Sequence, residues 1–238
     1  MNVMREHAIR DIAHRWFAFF EGETESVEDH LAMFTPDVSL VHAGTHRLAD
    51  DRKALGQWLR QVPAERDSHV ITDWCWQRLD ANRATMEMAV SYQVLQADDS
   101  VGGAVIHYRT EIAFDEHHEA AFRFLQKTPV APNPDRQFRD SFAANRLAAA
   151  LARLGFLASR GEHERIGREL LDRNAMDDWA QLTSTLPAAS LAEARITHLD
   201  SEALTLDLVL PAAEVRLLRL SFAERAGRYP SLWRIDWM

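Results

Sequence analysis

The sequence predicts an α+β fold in which helices pack on an antiparallel sheet, and it lays that plan down twice. Three observations predict it. From His69 onward the hydrophobic period changes from 3.6 to 2, so helices precede strands and there is no βαβ alternation. The strand-length runs are joined by breaks short enough to be hairpins. After a proline-rich stretch the helix-then-strand programme starts again.

Taken in order, Ala8 to Glu21 carries Ile9, Ile12, Ala13, Trp16, Phe17, Phe19 and Phe20 at helical spacing, and Gly22 supplies a stop. Ser26 caps a second amphipathic helix through Val27, Leu31 and Phe34, with acidic residues in its first turn. Thr35-Pro36 is expected to end it, Asp37 to His42 alternates as a short strand, and Asp51 to Leu59 forms a third helix. Four runs follow: HVITDWCWQRL, ATMEMAVSYQVLQ, VGGAVIHYRTEIAF and EAAFRFLQKTPV. The breaks DAN (80–82), ADDS (97–100) and DEHH (115–118) make them an antiparallel meander. Prolines 129, 132 and 134 fix φ and restrict their predecessors, which marks an extended linker.

After the linker, Phe138 to Ser159 reads as a long helix. Ile166, Leu170 and Leu171 mark a second, and LAEARITHL, ALTLDLVL, EVRLLRLSFAE and LWRIDWM read as strands. RWFAFFEGETESVEDHLAMF (15–34) and RLGFLASRGEHERIGRELL (153–171) share one layout: a bulky helix end, a glycine, an acidic break and a second helix. The expected domains are 1–130, a linker at 131–137, and a shortened copy at 138–238. One irregular domain with an inserted helical pair is the alternative.

The 238 residues carry 27 Lys+Arg against 36 Asp+Glu, a formal charge of −9. That balance disfavours nucleic acid and anionic membrane surfaces as partners. Cys75 is the lone cysteine, so no internal disulfide or thiolate metal cluster can form. The first turns are charged and no window nears the ~20 apolar residues that a membrane span needs, so the cytoplasm is the expected compartment.

The residues WFAFFEGE, SVEDHLAMF, TPDVSLVH, ATMEMAVSYQV and HYRTEIAFD together resemble the nuclear transport factor 2-like superfamily. This is the cone-shaped α+β fold of SnoaL-like cyclases and ketosteroid isomerase. The likeness runs along nearly all of the first domain and is fainter in the second, mostly in its helices and in LWRIDWM. It implies two cone-shaped units, the second shortened and degenerate, with a candidate pocket in the first between its first helix and the concave face of the sheet. It also implies that His42 stands in the place of the isomerase's general-base aspartate. Trp16 falls at the oxyanion-hole tyrosine, Thr110 near the second oxyanion donor, and Met88, Val90 and Tyr92 along the apolar wall. Both oxyanion positions lack the family's residues, which argues against steroid isomerisation itself.

A neutral imidazole exchanges protons near neutral pH without tuning, so His42 is the candidate catalytic residue; a half-exposed strand-end histidine is the plainer alternative. Tyr92 and Tyr108, on successive strands, could orient a polar substituent. His46 lies four residues past His42 across Ala43-Gly44 and is expected in a loop at the cone's mouth, with no ligand-spaced carboxylate or cysteine to make a metal site. Trp74 and Trp76 share a face and either floor a pocket or pack. His117 and His118 belong to a solvated turn.

Three functions fit. The first is a cofactor-independent isomerase, cyclase, dehydratase or hydrolase acting on a small apolar or carbonyl-bearing molecule through His42. The second is a non-catalytic binder of a small apolar ligand, and the third an assembly unit whose cone is filled by its own rings. Pairing of the two domains within the chain is the expected partner arrangement, with a homodimer as a further one.

Overall fold

The computed structural model describes residues 2–22, 24–186, 188–211 and 216–238. The elements in chain order are α1 (Asn2–Glu21), α2 (Val27–His30), β1 (Phe34–His42), β2 (His46–Ala49), α3 (Arg52–Leu59), β3 (Asp67–Arg78), β4 (Arg83–Leu95), β5 (Val101–Phe114) and β6 (Ala120–Pro132). Then come α4 (Phe142–Ser159), α5 (His163–Glu169), α6 (Met176–Thr185), α7 (Ala188–Ala192), β7 (Arg195–Asp200), β8 (Thr205–Leu210), β9 (Arg216–Ala223) and β10 (Ser231–Trp237). The fold is α+β, with one six-stranded sheet in the order β2-β1-β6-β5-β4-β3 and one four-stranded sheet in the order β10-β9-β8-β7. Two compact units account for the chain: Trp16–Phe142, and Met1–Arg15 with Ala143–Met238.

In the Trp16–Phe142 unit, β3 to β6 form the expected antiparallel meander. Two left-handed residues turn its later hairpins: Asp99 at φ 62° and His118 at φ 60°, both types that tolerate that region better than most. The sheet is not wholly antiparallel. β1 pairs with β6 in parallel, with Leu40 beside Leu125 and His42 beside Lys127, and the β1–β2 hairpin completes that margin. Alternation then sends Val38 and Leu40, Met86, Met88 and Val90, Thr110 and Ile112, and Leu125 to one buried face. Trp16, Phe17 and Phe34 are at most 1% exposed and fill that concave side. Each such ring contributes roughly 2–3 kcal/mol through the apolar area it removes from water.

The second helix departs from expectation. It is a single turn, Val27–His30, capped by the Ser26 hydroxyl on the Asp29 N–H at 3.1 Å. A 3₁₀ turn, Leu31–Met33, follows, and the strand has already begun at Phe34. Pro36 falls where the β1–β6 register breaks between Phe34 and Ser39, a stretch that asks for no ladder N–H. Residues 131–132 finish β6, and 133–137, outside any helix or strand, are tethered to β4. Asn133 donates from Nδ2 to the Ser91 hydroxyl (2.7 Å) and the Tyr92 carbonyl (2.9 Å), and Gln93 Nε2 donates to the Gln137 carbonyl (2.9 Å).

In the other unit, α4 buries nearly every position except its first few, with Leu147, Leu154, Phe156 and Leu157 at its centre. Asp177 and Asp178 open α6 as its acidic first turn, a favourable place beside the helix's positive end. The tyrosine hydroxyl of Tyr229 donates to both carboxylate oxygens of buried Asp11 at 2.9 Å, with Arg15 and Arg153 each 4.0 Å away. No described helix is long and apolar enough to cross a membrane.

Candidate functional site

One cluster of polar groups in the Trp16–Phe142 unit lies where the last turn of α1 meets the start of β3. β3 is an edge strand, and its first residues place Asp67 and His69 on the concave face, two positions apart. The His69 ring lies nearly parallel to Phe17, with centroids 5.1 Å apart and an 18° tilt, and 5.1 Å from Tyr92. Glu21, the final residue of α1, has a side chain only 1% exposed and approaches His69 Nδ1 at 3.3 Å. Its Oε1 also accepts the His69 backbone N–H at 2.5 Å and the Ser141 hydroxyl at 2.6 Å. Ser141 Oγ in turn accepts that same N–H at 2.9 Å. These bonds satisfy an edge N–H that would otherwise invite pairing with another strand, and they hold a carboxylate at a helix C-terminus, where the macrodipole opposes it.

Asp67 completes the cluster. Burial pushes its carboxyl up to about 6; His69 pulls the other way, and Glu21 and Glu65 add to the rise. Asp67 Oδ1 is buried and has no hydrogen-bond partner among the described residues. Burial, with Glu65 and Asp67 nearby, raises the Tyr92 phenol to about 12, and its hydroxyl donates to Glu65 Oε2 at 3.4 Å.

The residues singled out in the sequence divide into two groups. Trp16, Met88, Val90, Tyr108 and Thr110 are all at most 3% exposed. Trp16 packs edge-on to Phe20 and Phe34, stacks near His30 and lies 6.5 Å from Trp58. Tyr108 meets Phe17 edge-on at 5.4 Å, and burial raises its phenol well above the ordinary value, opposed by the Trp16 indole. The Thr110 hydroxyl is spent on the Met86 carbonyl at 3.0 Å. His42 is half-buried at the end of β1, beside Lys127. Burial, then Lys127 and His46, lower its pKa, and its Nδ1 is buried with no hydrogen-bond partner among the described residues. Burial also lowers the Lys127 pKa, and the ammonium sits 5.1 Å from the Trp58 ring. His46 opens β2 and pairs directly with His42; the loop is only 43–45, with Ala43 and Gly44 at positive φ. Tyr92 is the one sequence-selected residue that joins the His69 cluster. β6, β5 and β4 separate β1, with His42, from β3, with His69. Among the described residues no group of three or more metal-ligating side chains is formed.

Glu21, Asp67 and His69 were not singled out in the sequence. One signal was available: an acidic residue closing a helix just before its glycine stop implies a partner elsewhere.

No family model matches the chain, and no curated protein matches it in sequence. Solved structures similar to it include a type 3 hexachlorocyclohexane dehydrochlorinase of Novosphingobium barchaimii, 12% identical, TM-score 0.48, over 58% of this chain and 99% of that one. An NTF2-like protein with a cystatin-like fold from Novosphingobium aromaticivorans is 12% identical, TM-score 0.45, over 52% and 81%. A cystatin-like fold protein from Caulobacter vibrioides is 16% identical, TM-score 0.43, over 54% and 89%. The likeness thus spans about half of this chain and most of theirs.

Proposed function

We propose that the Trp16–Phe142 unit transfers protons on a small, largely apolar molecule bearing a carbonyl or hydroxyl group, as an isomerase, cyclase or dehydratase would. The observation that carries this reading is the His69 imidazole clamped between Phe17 and Tyr92 with the Glu21 carboxylate at its Nδ1. The Glu21 carboxylate 3.3 Å from Nδ1 and the stacked rings hold the imidazole in one orientation, and the imidazole is the proposed base. The Asp67 carboxyl, whose Oδ1 meets no partner among the described residues and which holds its proton up to about pH 6, is the donor that would hold the substrate's oxygen in mildly acid solution. Such a step is redox-neutral, so side chains suffice for it.

A second reading keeps His42 as the base, favoured by its unpartnered buried Nδ1 and lowered pKa, which leave a neutral acceptor at neutral pH. One experiment separates the two. The protein is incubated in D₂O with a panel of cyclic ketones and β-hydroxy ketones, and α-proton exchange or loss of water is followed by NMR. His69→Gln is expected to lower the rate by about a hundredfold or more, the usual share of a general base, while His42→Ala leaves it within about threefold. Full activity in His69→Gln would end the first reading, and loss in His42→Ala alone would establish the second. The non-catalytic alternative, supported by the rings that fill the concave side, would show as a retained apolar ligand in native mass spectra with no exchange in the panel.

A further inference from the structure

Arginine supplies nearly all of the chain's basic side chains: of 27 Lys and Arg residues, just Lys53 and Lys127 are lysines. Arginine keeps its proton at every working pH, whereas a buried lysine gives its proton up more easily and becomes a nucleophile. Lys53 is exposed in the first turn of α3. Lys127, on β6, has a different setting.

Lys127 pairs directly with Tyr108 across β5 and β6, and Leu125, two residues earlier, pairs with Thr110. Directly opposed residues share a face. Tyr108, Thr110 and Leu125 are all buried, so the Lys127 stem turns to the concave side with them. Its Nζ lies 5.1 Å from the centre of the Trp58 ring, and that ring is 6.2 Å from Phe20 and 6.5 Å from Trp16. The residue beside it on the parallel strand β1 is His42. A lysine stem on an apolar face ordinarily carries its ammonium out to water or to a carboxylate. Here burial alone lowers the Lys127 pKa, and no carboxylate among the described residues opposes it. The residue is half-buried, and Nζ is not closed off from water as the neighbouring His42 Nδ1 is. The amine is thus partly desolvated, without a counter-charge, and within reach from solvent.

We propose that Lys127 captures a small apolar aldehyde as a Schiff base. The lone pair of the neutral amine attacks the carbonyl carbon and forms the C–N bond of a carbinolamine. Both amine protons then leave with the carbonyl oxygen as water, and the C=N bond forms with no change of oxidation state. The protonated imine keeps a positive charge where the Trp58 ring already meets one. The half-buried position selects an aldehyde over a ketone, because a carbonyl carbon with one substituent approaches a confined amine with less obstruction than a carbon with two. β5 and β4 separate Lys127 from β3 and the His69 cluster. Capture is read as a covalent adduct, not as turnover, so it stands or falls separately from proton transfer at His69.

The test incubates the full chain at neutral pH with propanal and sodium cyanoborohydride, which reduces an imine to a stable secondary amine. Peptide mass spectrometry follows Lys127 and Lys53 in the same sample, so the exposed lysine is the internal reference. Lys127 is expected to be alkylated several-fold faster than Lys53 in the folded chain, and at the same rate once urea has unfolded it. Pivalaldehyde, whose tert-butyl group obstructs a confined amine, should lose that advantage. His42→Glu sets a carboxylate beside the amine and should bring Lys127 down to the Lys53 rate, with tryptophan fluorescence reporting that the variant is folded. Labelling of Lys127 by propanal that is no faster than that of Lys53 in the unaltered folded chain would overturn the proposal without recourse to any variant. An advantage that persists in urea would overturn it too, as would one that a folded His42→Glu retains.

Discussion

Replacing Asp67 with Asn isolates one electrostatic penalty, and its sign can be worked out beforehand. The folded carboxyl holds its proton up to about pH 6, against an ordinary value of 3.8, chiefly because it is buried. Two units at 1.36 kcal/mol each set a ceiling of about 3 kcal/mol. The carboxyl is only half-buried, and solvent screening cuts that to about 1.5 kcal/mol. Because the folded pKa is raised, the folded state binds more protons than the unfolded one between about pH 4 and pH 6. The associated stability is therefore complete below the lower value and lost as pH rises through the upper one. Asn keeps the shape without the charge. Urea unfolding followed by tryptophan fluorescence, measured at unit steps from pH 4 to pH 8, should give Asp67→Asn and the unaltered protein equal stability at pH 4. At pH 8 the variant should be more stable by about 1.5 kcal/mol, with the difference opening near pH 5 to 6. A difference that is constant across pH, or a variant less stable at pH 8, would refute the assignment of the penalty to this carboxyl.

Other perturbations test the packing. Tyr229→Phe removes the hydroxyl that donates to both oxygens of buried Asp11, and should lower stability by about 2 kcal/mol, the range of a hydrogen bond to a charged group, in a denaturant titration. Gly103 has φ +145°, and a Cβ there would meet the Tyr92 carbonyl oxygen at 2.1 Å; Gly103→Ala should cost at least about 2 kcal/mol and depress the melting temperature by several degrees. Leu125→Ala opens a cavity at a fully buried position where β6 faces Leu40, and should cost about 2–5 kcal/mol by chemical denaturation.

Local pattern carried the helices and the meander, because amphipathic period and turn residues are written in neighbouring positions. α1 announces itself through Ile9, Ile12, Trp16 and Phe17, and β4 and β5 through strict alternation. The parallel β1–β6 pairing was not legible, since alternation says which face a residue takes and nothing about which strand lies beside it. α6 was missed because Asp177-Asp178 reads equally as a turn and as an acidic first helical turn. The site divided along the same line. Trp16, Tyr108 and Thr110 are buried, and a sequence does not distinguish a side chain that lines a space from one that fills it. Glu21 and His69 lie 48 positions apart, and only the folded chain brings the carboxylate to the edge strand. The other unit is likewise assembled at a distance, from the first 15 residues and the last 96.

That last division has a consequence for the order of events during synthesis. Residues 2–15 emerge well before residues 143–238 and carry Ala8, Ile9 and Ile12, which end at 4% exposure or less. The residues they pack with, from Ala143 onward, arrive more than a hundred positions later. For most of translation the opening turns of α1 therefore stand as an uncovered apolar stripe on a helix whose later turns already have the β-meander to fold upon. A chain halted near Phe142 would keep that stripe bare, which makes the leading segment the part of the molecule most in need of a chaperone while the ribosome finishes.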